Sequence, residues 1–252
     1  MLKSHFVSKV VLKQFCGKTG KLSVFKKQGG VPLLKSQSEF AFVRLPSDVF
    51  SNSEDRWNRT ERRYTACIDL INNGGFFTHK KCGICAEVIK VIMSIHYVRS
   101  LAFYSLLSTK EKEKYDELVE EFEKIISDKA TFRKKWIIDL MVTLPDIIQT
   151  NINKVLDEIE KYSLEIIKAP KYKYFIIGDV PVVTWNKDGH VGFLDGVGLN
   201  NSDIILMPIS PKYAVSLTSH KGGYISVSVK WLRWINKQIR KICRYEFYAL
   251  PK

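Results

Sequence analysis

Two short stretches carry residue types whose spacing can do chemistry. In HKKCGIC, residues 79–85, His79, Cys82 and Cys85 stand at metal-ligand spacing. Structural zinc needs four such ligands in a tetrahedron. His96, one helix further on, is the candidate fourth. The competing reading is a pair of thiols at a helix start, where the helix dipole lowers a thiol pKa. With no second CxxC nearby, structural zinc is the less favoured of the two. In KWLRWINKQIRKICR, residues 230–244, Arg233, Lys237, Arg240 and Arg244 recur at helical spacing on one stripe, joined by Lys241. Leu232, Ile235, Ile239 and Ile242 form a second stripe. This is a basic amphipathic helix, suited to phosphate-bearing ligands once its apolar stripe is packed away.

The charge is unevenly distributed. The chain has 252 residues and a net charge of +14. Residues 1–50 hold nine Lys/Arg against two acids, net +7, and residues 229–252 hold seven against one, net +6. The 178 residues between are close to neutral, 24 against 23. Domain termini are often neighbours in space, so the two ends are expected to form one basic pole that includes Lys9 and Lys13. A pole of this kind attracts anions over about a Debye length, ~8 Å. The expected partners are an anionic surface, either phospholipid head groups or a nucleic-acid backbone, and a further protein.

The elements that must position these residues follow from periodicity. Residues 21–26 alternate as a strand, and 28–55 read as irregular. Helices are expected at 57–72, 85–107, 109–127, 131–150 and 151–167, with Pro145 breaking the fourth. Beyond Pro170 the period shortens to that of strands, from YKYFIIGDVPVVTW to YISVSV, and residues 229–246 close the chain as a helix. The expectation is a single α+β domain, 1–252, with a helical middle at about 57–168. A mostly antiparallel sheet comes from the N-terminal segment and residues 171–229. No apolar run is long enough to span a membrane. Five irregularly spaced cysteines and the lack of a signal-peptide core point to reduced thiols in the cytoplasm, with any membrane role peripheral. Scarce Gln with abundant Lys, Ile and Glu leans toward a thermophile composition.

Several landmarks fall in a recognisable order. His5-Phe6-Val7-Ser8 precedes Leu12 and Phe15, and Glu61 lies on an early helix. His96-Tyr97-Val98-Arg99, Gly178-Asp179-Val180-Pro181, Pro208-Ile209-Ser210-Pro211, a late helix carrying Asn236 and a closing segment at 245–248 complete the series. Together they resemble a mainly prokaryotic family catalogued as a domain of unknown function (number 4238). Its members carry H-Y/F-V-P, a helical glutamate, Q-x-x-R, S-D-N-P and P-L-S-P at these places. Here Ser8 replaces Pro, His96 replaces Gln, Gly178 replaces Ser and Val180 replaces Asn. The resemblance implies a shared architecture and a candidate site of His5, Glu61, His96, Arg99, Asp179 and Asn236. It also suggests a prokaryotic defence or conflict setting with a protein partner. Such a set can supply a base, carboxylates for a divalent metal and an Arg for a phosphate, the needs of a phosphodiesterase or nuclease. The structural alternative is a Glu–Arg tie between helices, a hydrogen-bonding His and a capping Asp. The altered motifs weigh toward a non-catalytic effector that binds anions, with a metal-dependent phosphodiesterase and a subunit docking an acidic protein as the alternatives.

Overall fold

The computed structural model describes residues 2–5, 7–39, 41–45, 47–80, 82–100, 113, 129–192 and 197–251. The expected helix at 109–127, residue 113 apart, and the end of that at 85–107 lie outside them. Along the chain come β1 (Leu2–His5), α1 (Lys9–Gln14), β2 (Lys21–Lys26), β3 (Leu33–Ser36), β4 (Phe42–Leu45), α2 (Ser47–Asn72) and α3 (Cys82–Val98). After these follow α4 (Lys129–Glu160), β5 (Ser163–Lys168), β6 (Ile177–Gly178), β7 (Val183–Trp185), β8 (Ile204–Pro208), β9 (Tyr213–Thr218), β10 (Tyr224–Ser226), α5 (Val229–Ile242) and β11 (Glu246–Ala249). The fold is α+β, as the periodicity predicts.

A five-stranded sheet runs β10-β5-β9-β8-β7 and is antiparallel apart from the β10–β5 pair. Both faces are covered, which explains the near-continuous apolar runs in its strands. Leu164, Ile166, Ile205, Met207, Val215 and Leu217 join the main core with α2, α3 and α4. Ile167, Leu206, Ala214, Val183 and Trp185 meet Leu232, Ile235 and Ile239 of α5 in a second core. A four-stranded sheet runs β3-β2-β11-β6, and β1 pairs with β4 in a sheet of two among the described residues.

Four boundaries differ from expectation. Residues 28–55 contain β3, β4 and the start of α2; β3 is largely exposed and shows no alternation to read. Pro145 does not end a helix but is buried inside α4. Residues 163–167, assigned to the end of a helix by their apolar spacing, lie in β5, whose alternation runs only over Ser163–Ile166 before the buried Ile167 breaks it. The last helix stops at Ile242, and β11 completes the smaller sheet against β2 and β6. No described helix is long and apolar enough to cross a membrane.

Candidate functional site

The heptad-like face of α2 buries Trp57, Glu61, Tyr64, Ile68 and Ile71. Successive turns thus place a polar trio above two isoleucines. His96 in the last turn of α3 and Arg99 just past its end lie three residues apart and both are buried. Arg99 Nη1 is 3.9 Å from Glu61 Oε1, and its guanidinium stands 4.1 Å over the Trp57 ring. Trp57 Nε1 and the Tyr64 hydroxyl are buried without a hydrogen-bond partner among the described residues.

His96 links this pair to the N-terminal segment. Its Nδ1–H donates to the Ile92 carbonyl (2.8 Å), which leaves Nε2 to accept from the Ser8 N–H (3.1 Å). The imidazole is therefore neutral. Burial, with Arg99 nearby, lowers its pKa to about 4 against the weaker pull of the Ile92 bond. Ser8 also caps α1, its Oγ accepting from the Val11 N–H (3.4 Å). His5 lies on β1 opposite Phe42, three residues before Ser8. As arranged, the cluster binds α2, α3 and the N-terminal segment together; for it to do acid–base or metal chemistry, Glu61 would have to leave Arg99 and His96 would have to leave Ser8.

Asp179 and Asn236 belong to a different part of the molecule. The fully buried Asp179 carboxylate accepts the N–H groups of Arg244 (2.8 Å), Tyr245 (2.6 Å) and Glu246 (3.0 Å), holding the turn from α5 into β11. Burial pushes its carboxyl up, opposed by these three amides and by Lys27. Asn236 Oδ1 accepts from the Ile176 N–H (3.2 Å) and its Nδ2 donates to the Tyr174 carbonyl (2.9 Å), fastening α5 to the loop before β6. Gly178 packs against Cys243 so closely that an added Cβ would overlap the sulfur. A serine, as the resembled family carries there, has no room.

His79, Cys82 and Cys85 do not assemble a site. Among the described residues no group of three or more His, Cys, Asp and Glu can hold a metal ion. His79 is exposed and Cys85 is buried. Cys85 instead faces Cys67, whose thiol burial and this neighbour push up to about 12. His96 lies eleven residues along the same helix from Cys85, roughly 16 Å of rise, and both its ring nitrogens are engaged. It therefore cannot complete a tetrahedron with the two cysteines.

The chain's two ends do meet. β2 pairs with β11 from Ser23↔Ala249 to Lys26↔Glu246. Just beyond, Lys27 Nζ donates to the carbonyls of Lys241 (2.9 Å) and Cys243 (2.6 Å), a cation at the negative end of α5. Outward from that seam, Lys21, Lys26, Lys230, Arg233, Lys237, Arg240, Lys241 and Arg244 are all exposed. Arg240 lies 5.0 Å over the Phe247 ring, which stacks on Phe25. Trp231 and Trp234 are 49% and 38% exposed and contact each other edge to face; Trp234 also meets Trp185. Lys9 and Lys13 are exposed on α1, so β2 and Lys27, more than α1, carry the junction with α5.

Sequence reasoning did not anticipate Ser8 as the partner of His96, nor Lys27 as a helix cap. The first left a sign: two departures from the family pattern, each altering one hydrogen-bonding group. With the geometry in place, the chain's membership is plain. Residues 3–228 match the model of the family described as protein of unknown function DUF4238, and the chain belongs to it. Comparison with curated proteins and with solved structures gave no match.

Proposed function

We propose that the protein is a non-catalytic binding module for phosphate-bearing anions, with α5 and the β2–β11 seam as its contact surface. The carrying observation is the junction of the two basic ends: Lys27 caps α5 while the Lys and Arg side chains of the helix face outward. Leu232, Ile235 and Ile239 fix that orientation by packing into the second core. The exposed Trp231 and Trp234 add aromatic surface beside the cations, which favours contact with ligands over mere solvation. The phosphates can come from nucleic acid or from anionic lipid, and a protein partner can supply avidity to either.

Gel shift with DNA and RNA, run beside flotation with vesicles containing anionic lipid, tests this at two salt concentrations. Binding to at least one anion at low salt, falling steeply at high salt, is the expected result. Arg233→Glu combined with Lys237→Glu should weaken it at least about tenfold, since each phosphate contact contributes separately to the salt slope. Absence of binding to every anion at low salt would refute the proposal.

A further inference from the structure

The near-neutral middle of the chain conceals a second basic site. Between the end of β5 and the start of β6 the sequence runs Lys168-Ala169-Pro170-Lys171-Tyr172-Lys173-Tyr174. This segment is neither helix nor strand over 169–176. It borders a cavity of about 1130 Å³, and Lys212 in the β8–β9 turn contributes a fourth lysine to the lining. No Asp or Glu lines it among the described residues. The four lysines are exposed and, among the described residues, take part in no ion pair. Four exposed cations around one concavity focus a positive potential into it.

The tyrosines are presented in an unusual way. Lys173 N–H donates to the Pro170 carbonyl (3.1 Å), closing a tight turn with Tyr172 at its third position. Tyr172 there has φ 61°, the left-handed region that turns of this type reserve for Gly or Asn. A bulky ring held against its backbone preference is a feature that folding alone does not ask for. The ring is 76% exposed with Lys171 Nζ 5.0 Å over it, and Tyr174 is half-exposed beside the same cavity. The loop is braced from behind by Asn236 of α5, which binds the Tyr174 carbonyl and the Ile176 N–H.

We infer that this groove binds single-stranded nucleic acid, with Lys168, Lys171, Lys173 and Lys212 on the phosphates and Tyr172 and Tyr174 as stacking platforms for bases. Lysines alternating with exposed aromatics along a groove meet both requirements of such sites, a charged track and π surfaces. The cavity exceeds the 300–1,000 Å³ usual for small-molecule pockets, which suits an extended polymer. A bilayer is flat and cannot follow a concave surface. A duplex keeps its bases stacked internally and leaves the tyrosines without partners. The groove is a separate site from the α5 surface and does not depend on it.

Fluorescence anisotropy with labelled dT20, the matching duplex and vesicles of mixed neutral and anionic lipid provides the test. Wild type should bind dT20 more tightly than the duplex or the vesicles. Tyr172→Gly removes the ring and suits a positive φ, so it should fold at least as stably by thermal melt while binding dT20 at least about fivefold more weakly. Lys171→Gln with Lys173→Gln should reduce the slope of log K against log salt by about 1.4. Wild-type dT20 affinity in both groove variants overturns the inference, as does preferred binding of duplex or vesicles. Arg233→Glu with Lys237→Glu separates the two sites. Loss of binding in that variant alone leaves the α5 surface standing and removes the groove, and loss in the groove variants alone does the reverse.

Discussion

At the residue scale, His96 and Ser8 form a matched pair. A proline at position 8, as the resembled family carries, has no N–H and could not donate to His96 Nε2. The two departures therefore compensate one another in this chain. Ser8→Pro alone should cost about 1–3 kcal/mol, because it leaves a buried acceptor unsatisfied and removes the α1 cap. Adding His96→Gln should recover part of that loss, a coupling that a double-mutant cycle by urea unfolding would read directly. The low His96 pKa makes a second prediction. Between about 4 and the unfolded value of 6.5, the unfolded chain binds the proton that the native imidazole refuses. The contribution is complete above pH 6.5 and is lost as pH falls toward 4, by about 3 kcal/mol. Urea unfolding from pH 7 to pH 4 should show that loss in wild type and a shallower one in His96→Gln. The order of landmarks made Glu61, His96 and Arg99 legible as a set, and the structure gathers them. Asp179 and Asn236 belong to the same motif series but serve the α5 side. Order along a chain records which elements recur, and it does not record which of them meet.

At the element scale, α5 was readable because a two-stripe helix advertises itself: four apolar residues at i, i+3, i+7 and i+10 pack inward, and the charges follow outward. Its end was not readable. Residues 243–246 continue the composition of the helix, and what stops it is a long-range group, the Asp179 carboxylate on three consecutive amides. Asp179→Asn replaces one acceptor oxygen with a donor that faces those N–H groups. It should destabilise the protein by about 2 kcal/mol in urea unfolding, with far-ultraviolet circular dichroism unchanged. The same logic explains β5 and α4. In β5 the alternation is only four residues long, because Ile166 and Ile167 enter the two cores in turn, and the buried Pro145 does not end α4. Tyr172 and Tyr174 were hidden in the same way, their segment reading as strand because aromatic residues favour strands when no turn signal is weighed.

At the scale of the whole molecule, charge bookkeeping along the chain located one basic pole and missed another. The pole at the termini was legible because like charges cluster in sequence, and β2–β11 pairing brings the two clusters together. The groove was not, because Lys168, Lys171, Lys173 and Lys212 are averaged against acids that the fold sends elsewhere. Both surfaces lie against α5, one on its outward face and one on the loop that Asn236 braces. Anion binding at the α5 surface is tested most directly by its salt dependence in wild type and in Arg233→Glu with Lys237→Glu. Log K should fall linearly with log salt at a slope steeper than about −2, and the variant should lose about 1.4 or more of that slope. A protein that binds no anion at low salt, or whose binding ignores both salt and the α5 reversal, would contradict it.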